Sequence, residues 1–282
     1  MNQSLSIWGY LAAAPHRSLF FVGAMQGIFT LLWWLLVLLE RYGFLQTSIE
    51  WSIAPSWAHV YLMVYGFFPF FIFGFLFTTF PSWMNGEKIK PNLYLLTCIF
   101  MLIGVVLFYS GLFTGVTLIL TGIASMLIGW GVAIVVLLKV LLQTKAEDKR
   151  HASIVSVAFI FGWLGMGSYF IWLLTNEGQY LNFARQAGIW FFLLPILLVV
   201  SHRMIPFFSS RVLENYVMVR PYWILGMMLV CSLSHGLLML LNMLEYTWIF
   251  DLILAGCAFY LSIVWGLKRS FRVSLLAVLH IS

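Results

Sequence analysis

Charge is the scarcest thing in this sequence. Lys, Arg, Asp and Glu together make up 9% of its residues, against about a quarter in a typical soluble domain. A chain so poor in ionised side chains cannot cover a water-facing surface without large apolar patches, which excludes an ordinary soluble globule. The nine carboxylates do not pair within the apolar runs, and this removes the coupling groups that proton- or sodium-driven carriers use. Cysteine is almost absent as well. Cys98, Cys231 and Cys257 lie inside apolar stretches without C-x-x-C spacing, which argues against a thiol redox couple, a zinc knuckle or covalent c-type haem attachment. They read as small buried apolar residues. No P-loop, G-x-G-x-x-G, G-x-S-x-G or H-E-x-x-H pattern occurs. Nothing therefore indicates a hydrolase, an ATPase or a nucleotide-binding enzyme, and no catalytic residue can be named.

What the sequence has instead is apolar length. Apolar residues make up 63% of the chain and aromatics 18%, with 26 phenylalanines. Crossing the ~30 Å hydrocarbon layer takes about 20 apolar residues at ~1.5 Å per residue. Ser18 to Leu39 carries no charge, and Leu93 to Leu138 carries none over a length sufficient for two crossings, with a break between Tyr109 and Gly115. The fold class expected is an all-α polytopic membrane protein with eight complete helices, at about 18–39, 56–80, 93–110, 115–138, 152–175, 184–201, 221–241 and 247–267. A ninth begins after Arg272 and stops within ten residues. A helix ending at mid-membrane would leave carbonyls unsatisfied in lipid, so the chain reads as the N-terminal part of something longer. No segment outside the apolar runs is long enough to bury a core, and residues 1–282 read as a single transmembrane domain. Leu5 to Ala14 lacks a basic leader before it, and reads as an uncleaved segment at the inner surface rather than a signal peptide.

The net charge of +6 does not point to nucleic acid, because of where it lies. Arg17, Lys88, Lys90, Lys139, Lys145, Lys149, Arg150, Arg203, Arg211, Arg220, Lys268, Arg269 and Arg272 fall on the side of the N-terminus, and only Arg41 and Arg185 on the other. The positive-inside rule then puts the N-terminus in the cytoplasm.

Three local features bear on packing. Pro69 sits in an aromatic run, Gly66-Phe-Phe-Pro69-Phe-Phe-Ile-Phe-Gly74, and predicts a kink in the second helix. Gly66 and Gly74 lie two turns apart on one face, where a second helix or a flat ligand can come close. His16-Arg17 before helix 1 is echoed by His202-Arg203 before helix 7, both followed by Phe-Phe, as a parallel duplication of a six-helix unit would give.

Ionisable residues within apolar spans are functional hypotheses by default, and histidines supply most of them. His59 and His235 lie toward the outer ends of helices 2 and 7, at compatible depths. His16, His151 and His202 sit at inner helix ends, and His280 lies just inside the ninth helix. Neutral imidazole ligates haem iron and copper, and helix bundles build such sites from side chains on separate helices. His59 and His235 are placed to be axial ligands on opposite faces of one haem. The plainer reading of the inner histidines is interfacial hydrogen bonding. Asp251 and Glu245 read as interfacial or loop carboxylates, and Trp51, Trp57, Trp223 and Trp248 as an interfacial belt.

Ala14-Pro15-His16-Arg17 with Phe20-Phe21, Trp57-Ala58-His59 through Tyr65-Gly66 to Gly74-Phe75-Leu76-Phe77-Thr78-Thr79-Phe80-Pro81-Ser82-Trp83, and Ile205-Pro206-Phe207-Phe208-Ser209 carry a resemblance. In their order and spacing they resemble the NnrS family, bacterial inner-membrane proteins associated with the response to nitric oxide. The resemblance runs from about residue 12 to the end. It implies a haem- and copper-containing protein of about twelve helices that relieves nitrosative stress. The positions that match the family are His16, His59, Pro206 and Phe207; with the depth argument above, the candidate cofactor ligands are His59, His235, His16 and His202, and the overlapping metal candidates are His16, His59, His202 and His280. Ser201-His202-Arg203 departs from the glycine-containing pattern of the family, which weakens His202 as a family ligand. The implied partners are the lipid bilayer and nitric oxide or a similar small gas, with no nucleic acid and no predictable protein partner. Two other readings stay open: a secondary transporter, favoured by Pro69 and the six-helix echo, and a haem-binding membrane subunit of a quinone-linked redox complex.

Overall fold

Each long apolar run forms a helix, the one open-ended backbone arrangement that satisfies its own hydrogen bonds without water. The computed structural model describes residues 7–45 and 48–281, the first two by backbone alone. No strand occurs among the described residues. A short α1 (Ile7–Leu11) occupies the segment expected ahead of the first span, and α2 (Pro15–Arg41) opens on a proline, whose missing N–H costs nothing in a first turn. There follow α3 (Pro55–Val64), α4 (Phe68–Trp83), α5 (Pro91–Thr114), α6 (Val116–Gln143) and α7 (Arg150–Thr175). Next come α8 (Gly178–Gln186), a π-helical turn (Ala187–Leu193) and α9 (Leu194–Val212), then α10 (Tyr222–Leu240), α11 (Thr247–Val264), α12 (Leu267–Ser270) and α13 (Ser274–Ile281). Counting α3 with α4, α8 with α9, and the turn before α11 with α11, eight of these are long and apolar enough to cross a membrane. Below, "inner" denotes the bundle end that carries Arg17 and the basic loops.

Two expectations are corrected. Pro69 does not kink a continuous second helix. The helix breaks at residues 65–67, and Pro69 stands in the first turn of α4, where its ring is tolerated. The sixth helix is not confined to 184–201. It runs through Gly178–Val212, with the π turn beneath Pro195 and with Pro206 inside α9. Pro206 leaves the His202 carbonyl without its usual helical donor. The Ile205–Ser209 motif thus lies within this helix, not after it, and His202 lies inside it, not at its end.

Small residues set the closest approaches. A Cβ built on Gly104 would stand 2.7 Å from the Gly122 carbonyl oxygen, and one on Gly122 would stand 2.6 Å from the Gly104 carbonyl oxygen. The α5–α6 hairpin therefore packs backbone on backbone, the association lipid leaves to van der Waals contact. Gly115, at φ +140°, makes its turn in a region other residues rarely adopt. Gly66 lies in the break between α3 and α4, so it does not share a helix face with Gly74, but both approach α2: their added Cβ atoms would meet Gln26 and Phe20. Inside the bundle, Tyr61, Tyr65, Phe73, Trp130, Tyr169 and Phe192 are fully buried. Tyr61 donates to Met126 Sδ at 3.4 Å and Tyr65 to the Ala184 carbonyl, tying α3 to α6 and α8.

Candidate functional site

The six histidines separate by what their ring nitrogens already hold. At the inner end, the loop before α7, the starts of α7 and α10, and the middle of α9 converge. His151 Nε2 lies 3.0 Å from His202 Nδ1, and both residues are only 1% exposed. His202 Nε2 points at the Pro221 carbonyl at 3.4 Å. His151 Nδ1 lies 3.3 Å from the Tyr222 hydroxyl, which also donates to the Asp148 carboxylate. Asp148 accepts from the Arg150 backbone N–H at 3.1 Å, and the Arg150 guanidinium covers the Tyr222 ring at 4.6 Å. Partial burial works to raise the Asp148 carboxyl. The Tyr222 and Arg150 hydrogen bonds and the nearby His151 and Arg150 charges outweigh it, so Asp148 titrates below the usual carboxylate range. Each ring nitrogen of His151 and His202 thus lies within hydrogen-bonding distance of a polar atom.

The outer histidines are arranged differently. His235, on α10, sits 2.7 Å through Nδ1 from Asp251 at the start of α11. Its ring lies flat on Trp190 of the π turn, with centroids 3.5 Å apart. Nδ1 is therefore the protonated nitrogen, and Nε2 makes no hydrogen bond. An imidazole fixed by a carboxylate on one nitrogen and free on the other is the usual form of a metal-ligating histidine. His59, on α3, stacks on Trp34 with centroids 4.2 Å apart, and its Nδ1 is buried with no hydrogen-bond partner. Such an atom ordinarily costs about 1–3 kcal/mol, so it suits a site that receives a ligand. No contact joins His59 to His235.

His16 Nδ1 lies 3.3 Å from Thr78 Oγ1; that hydroxyl already donates to the Gly74 carbonyl, so His16 is the donor and its Nε2 is left free. His280 Nε2 lies 3.1 Å from Ser209 Oγ. Among the described residues no three His, Cys, Asp or Glu side chains gather as a metal cluster. A groove of about 640 Å³ runs along α4, the π turn and α9, with walls that include Phe71, Phe75, Ile189, Trp190, Leu193 and Leu197. Trp190 is thus both a wall of this apolar groove and the support of His235.

In sequence His151 reads as one of the inner interfacial histidines, and nothing marks Tyr222, Trp190 or Asp148. Asp251 was read as an interfacial carboxylate, and its pairing with His235 was not anticipated. These pairings join residues up to 74 positions apart, and no local pattern signals them; only the inner-end position shared by His151 and His202 hinted at a meeting.

No curated protein and no solved structure matches the chain. A family model described as NnrS protein matches residues 10–282. With nearly its whole length inside that match, and with the helices and motif positions described above, the chain belongs to the NnrS family.

Proposed function

We propose that this protein binds haem and copper in the bacterial inner membrane, N-terminus in the cytoplasm, and serves the response to nitric oxide. Family membership supports the nitric oxide assignment. One observation carries the cofactor assignment: His235 presents a free Nε2 while Asp251 holds its Nδ1 at 2.7 Å. His59, with an unpartnered buried Nδ1, and His16, with a free Nε2, are the further donors. His202 is left out, because both its nitrogens are engaged. Borderline imidazole nitrogens suit copper as well as haem iron. The bound group would supply the site for a small uncharged gas. The residues here fix the imidazole tautomer of His235 and hold the rings against Trp190 and Trp34.

The test is a visible absorption spectrum of the protein purified in mild detergent, oxidised and then reduced. A Soret band that shifts on reduction and again with nitric oxide supports the proposal. A flat spectrum from folded, haem-supplemented protein removes it. The orientation has its own test: reporters fused after Lys149 and Gln179 should read as cytoplasmic and periplasmic respectively, and reversed signals overturn it.

A transporter reading keeps one supporting observation. The second span breaks at residues 65–67 opposite Gln26, a buried polar side chain on the neighbouring helix. Broken helices facing buried polar groups mark transporter sites. A flat spectrum would make substrate-stimulated uptake into vesicles the next assay.

A further inference from the structure

A trough runs outward between α7 and α10 from the inner end of the bundle. Both helices start at that end, and the π turn and α9 pack behind them. The trough has two parts, which share Ser153, Ile154 and Leu229. Its mouth, about 540 Å³, carries Glu147, Lys149, Arg150 and Tyr222. Beyond Ser153 its deep part, about 310 Å³, is lined by apolar side chains alone, with Phe191 and Pro195 as the floor and the exposed Val157 and Leu233 on the walls. On α7 the wall repeats as Arg150, Ser153, Val157 and Phe161, and on α10 as Tyr222, Gly226, Leu229 and Leu233, each a single helical face. From first to last each wall rises about 16 Å at ~1.5 Å per residue, against about 15 Å for half of the hydrocarbon layer. The trough is as long as one leaflet's acyl region is thick. Gly226 widens it where mouth and deep part join: a Cβ there would meet nothing within 4 Å.

We propose that this trough binds one anionic phospholipid of the inner leaflet, its phosphodiester at Lys149 and Arg150 and one acyl chain along Val157, Phe161 and Leu233. The mouth has unspent donors. Among the described residues the Arg150 guanidinium makes no hydrogen bond and lies on the Tyr222 ring at 4.6 Å, and the Ser153 hydroxyl has no partner. Lys149 gives one hydrogen to the Thr144 carbonyl at 3.1 Å and keeps two. Asp148 does not draw on these donors, because its oxygens accept from the Tyr222 hydroxyl and the Arg150 backbone N–H. Two cations against the single carboxylate of Glu147 leave the lining one positive charge, the sign that selects an anionic over a zwitterionic headgroup. A quinone or a second apolar helix would fill the deep part and leave the cations unanswered. The site stands independently of the haem and copper reading, since none of its members is a ligand there.

The test is native mass spectrometry of the full chain, released from detergent micelles after exposure to equal amounts of phosphatidylglycerol and phosphatidylethanolamine with the same acyl chains. Wild type should retain one lipid, with phosphatidylglycerol favoured about fivefold, the effect of one net cation near a membrane surface. R150Q and K149Q each remove that net charge and should bring the two lipids to parity. G226L puts its side chain into the free space of the trough and leaves the protein packing intact. It should displace about two methylenes of the acyl chain and lower retention of both lipids about tenfold. Far-UV circular dichroism verifies that all three variants stay folded. Equal retention by wild type and G226L, or an unchanged preference in either charge variant, overturns the proposal. So does a wild type that carries a quinone or a second copy of the chain in place of the phospholipid.

Discussion

The inner and outer histidines of this bundle are the same chemical group put to opposite uses. Inside, His151 and His202 spend all four ring nitrogens on one another, on Tyr222 and on the Pro221 backbone. Outside, His235 and His59 are held by their faces against indoles, with a nitrogen left over. Face stacking fixes a ring while leaving its in-plane lone pair free, whereas a chain of edge contacts consumes the lone pairs. Burial alone therefore does not mark a ligand in this membrane-type interior: the fully buried pair is the one whose ring nitrogens already face polar neighbours.

Substitutions can break this contrast, and the largest effect should come from His235→Ala. It is expected to lose most of the bound haem or metal, and His59→Ala a large part of it, while His151→Ala keeps it. Pyridine haemochrome and metal analysis per protein check this, and equal cofactor content in all three would erase the distinction. Asp251→Asn should come next. It keeps the ring in place but weakens the hold on Nδ1, and is expected to cost about 10–100-fold in affinity, read by titrating cofactor into the apo-protein.

A control sits far from both clusters. Gly122→Val drives a side chain into the Gly104 carbonyl at the α5–α6 contact, and should destabilise by about 1–3 kcal/mol without changing cofactor content, as followed by thermal unfolding. The smallest effect belongs to the inner loop. Asp148 titrates below its unfolded value, so its stabilising contribution is present above the ordinary carboxylate range and lost as pH falls through the depressed value. The melting temperature of wild type should therefore fall toward that of Asp148→Asn on acidification. Parallel curves would show that the Tyr222 contact contributes nothing.

How much of this was legible beforehand depended on whether the signal was local. Apolar run length placed the eight long helices, because in lipid the backbone leaves a sequence little choice. Gly66 and Gly74 marked a close helix approach for the same short-range reason. Pro69 was misread because proline is equally compatible with a kink and with a first turn, and only the neighbouring break at 65–67 decides between them. Pro206 hid the full length of α9, since a helix that tolerates an internal proline looks finished in sequence. The site was the least legible part. His235 and Asp251 are only sixteen positions apart but on separate helices, and nothing in their spacing says that the turn between α10 and α11 brings them together. His151, His202, Tyr222 and Asp148 meet through three helices and a loop, and only the packed structure shows that the bland inner histidine is the centre of a network.

The most direct test of the outer site is the reduced-minus-oxidised visible spectrum of wild type beside His235→Ala and His151→Ala, all at equal folded protein. A Soret signal is expected in wild type, retained in His151→Ala and largely gone in His235→Ala. A signal that survives the loss of His235 and vanishes with His151 would place the cofactor at the inner cluster and contradict the outer site.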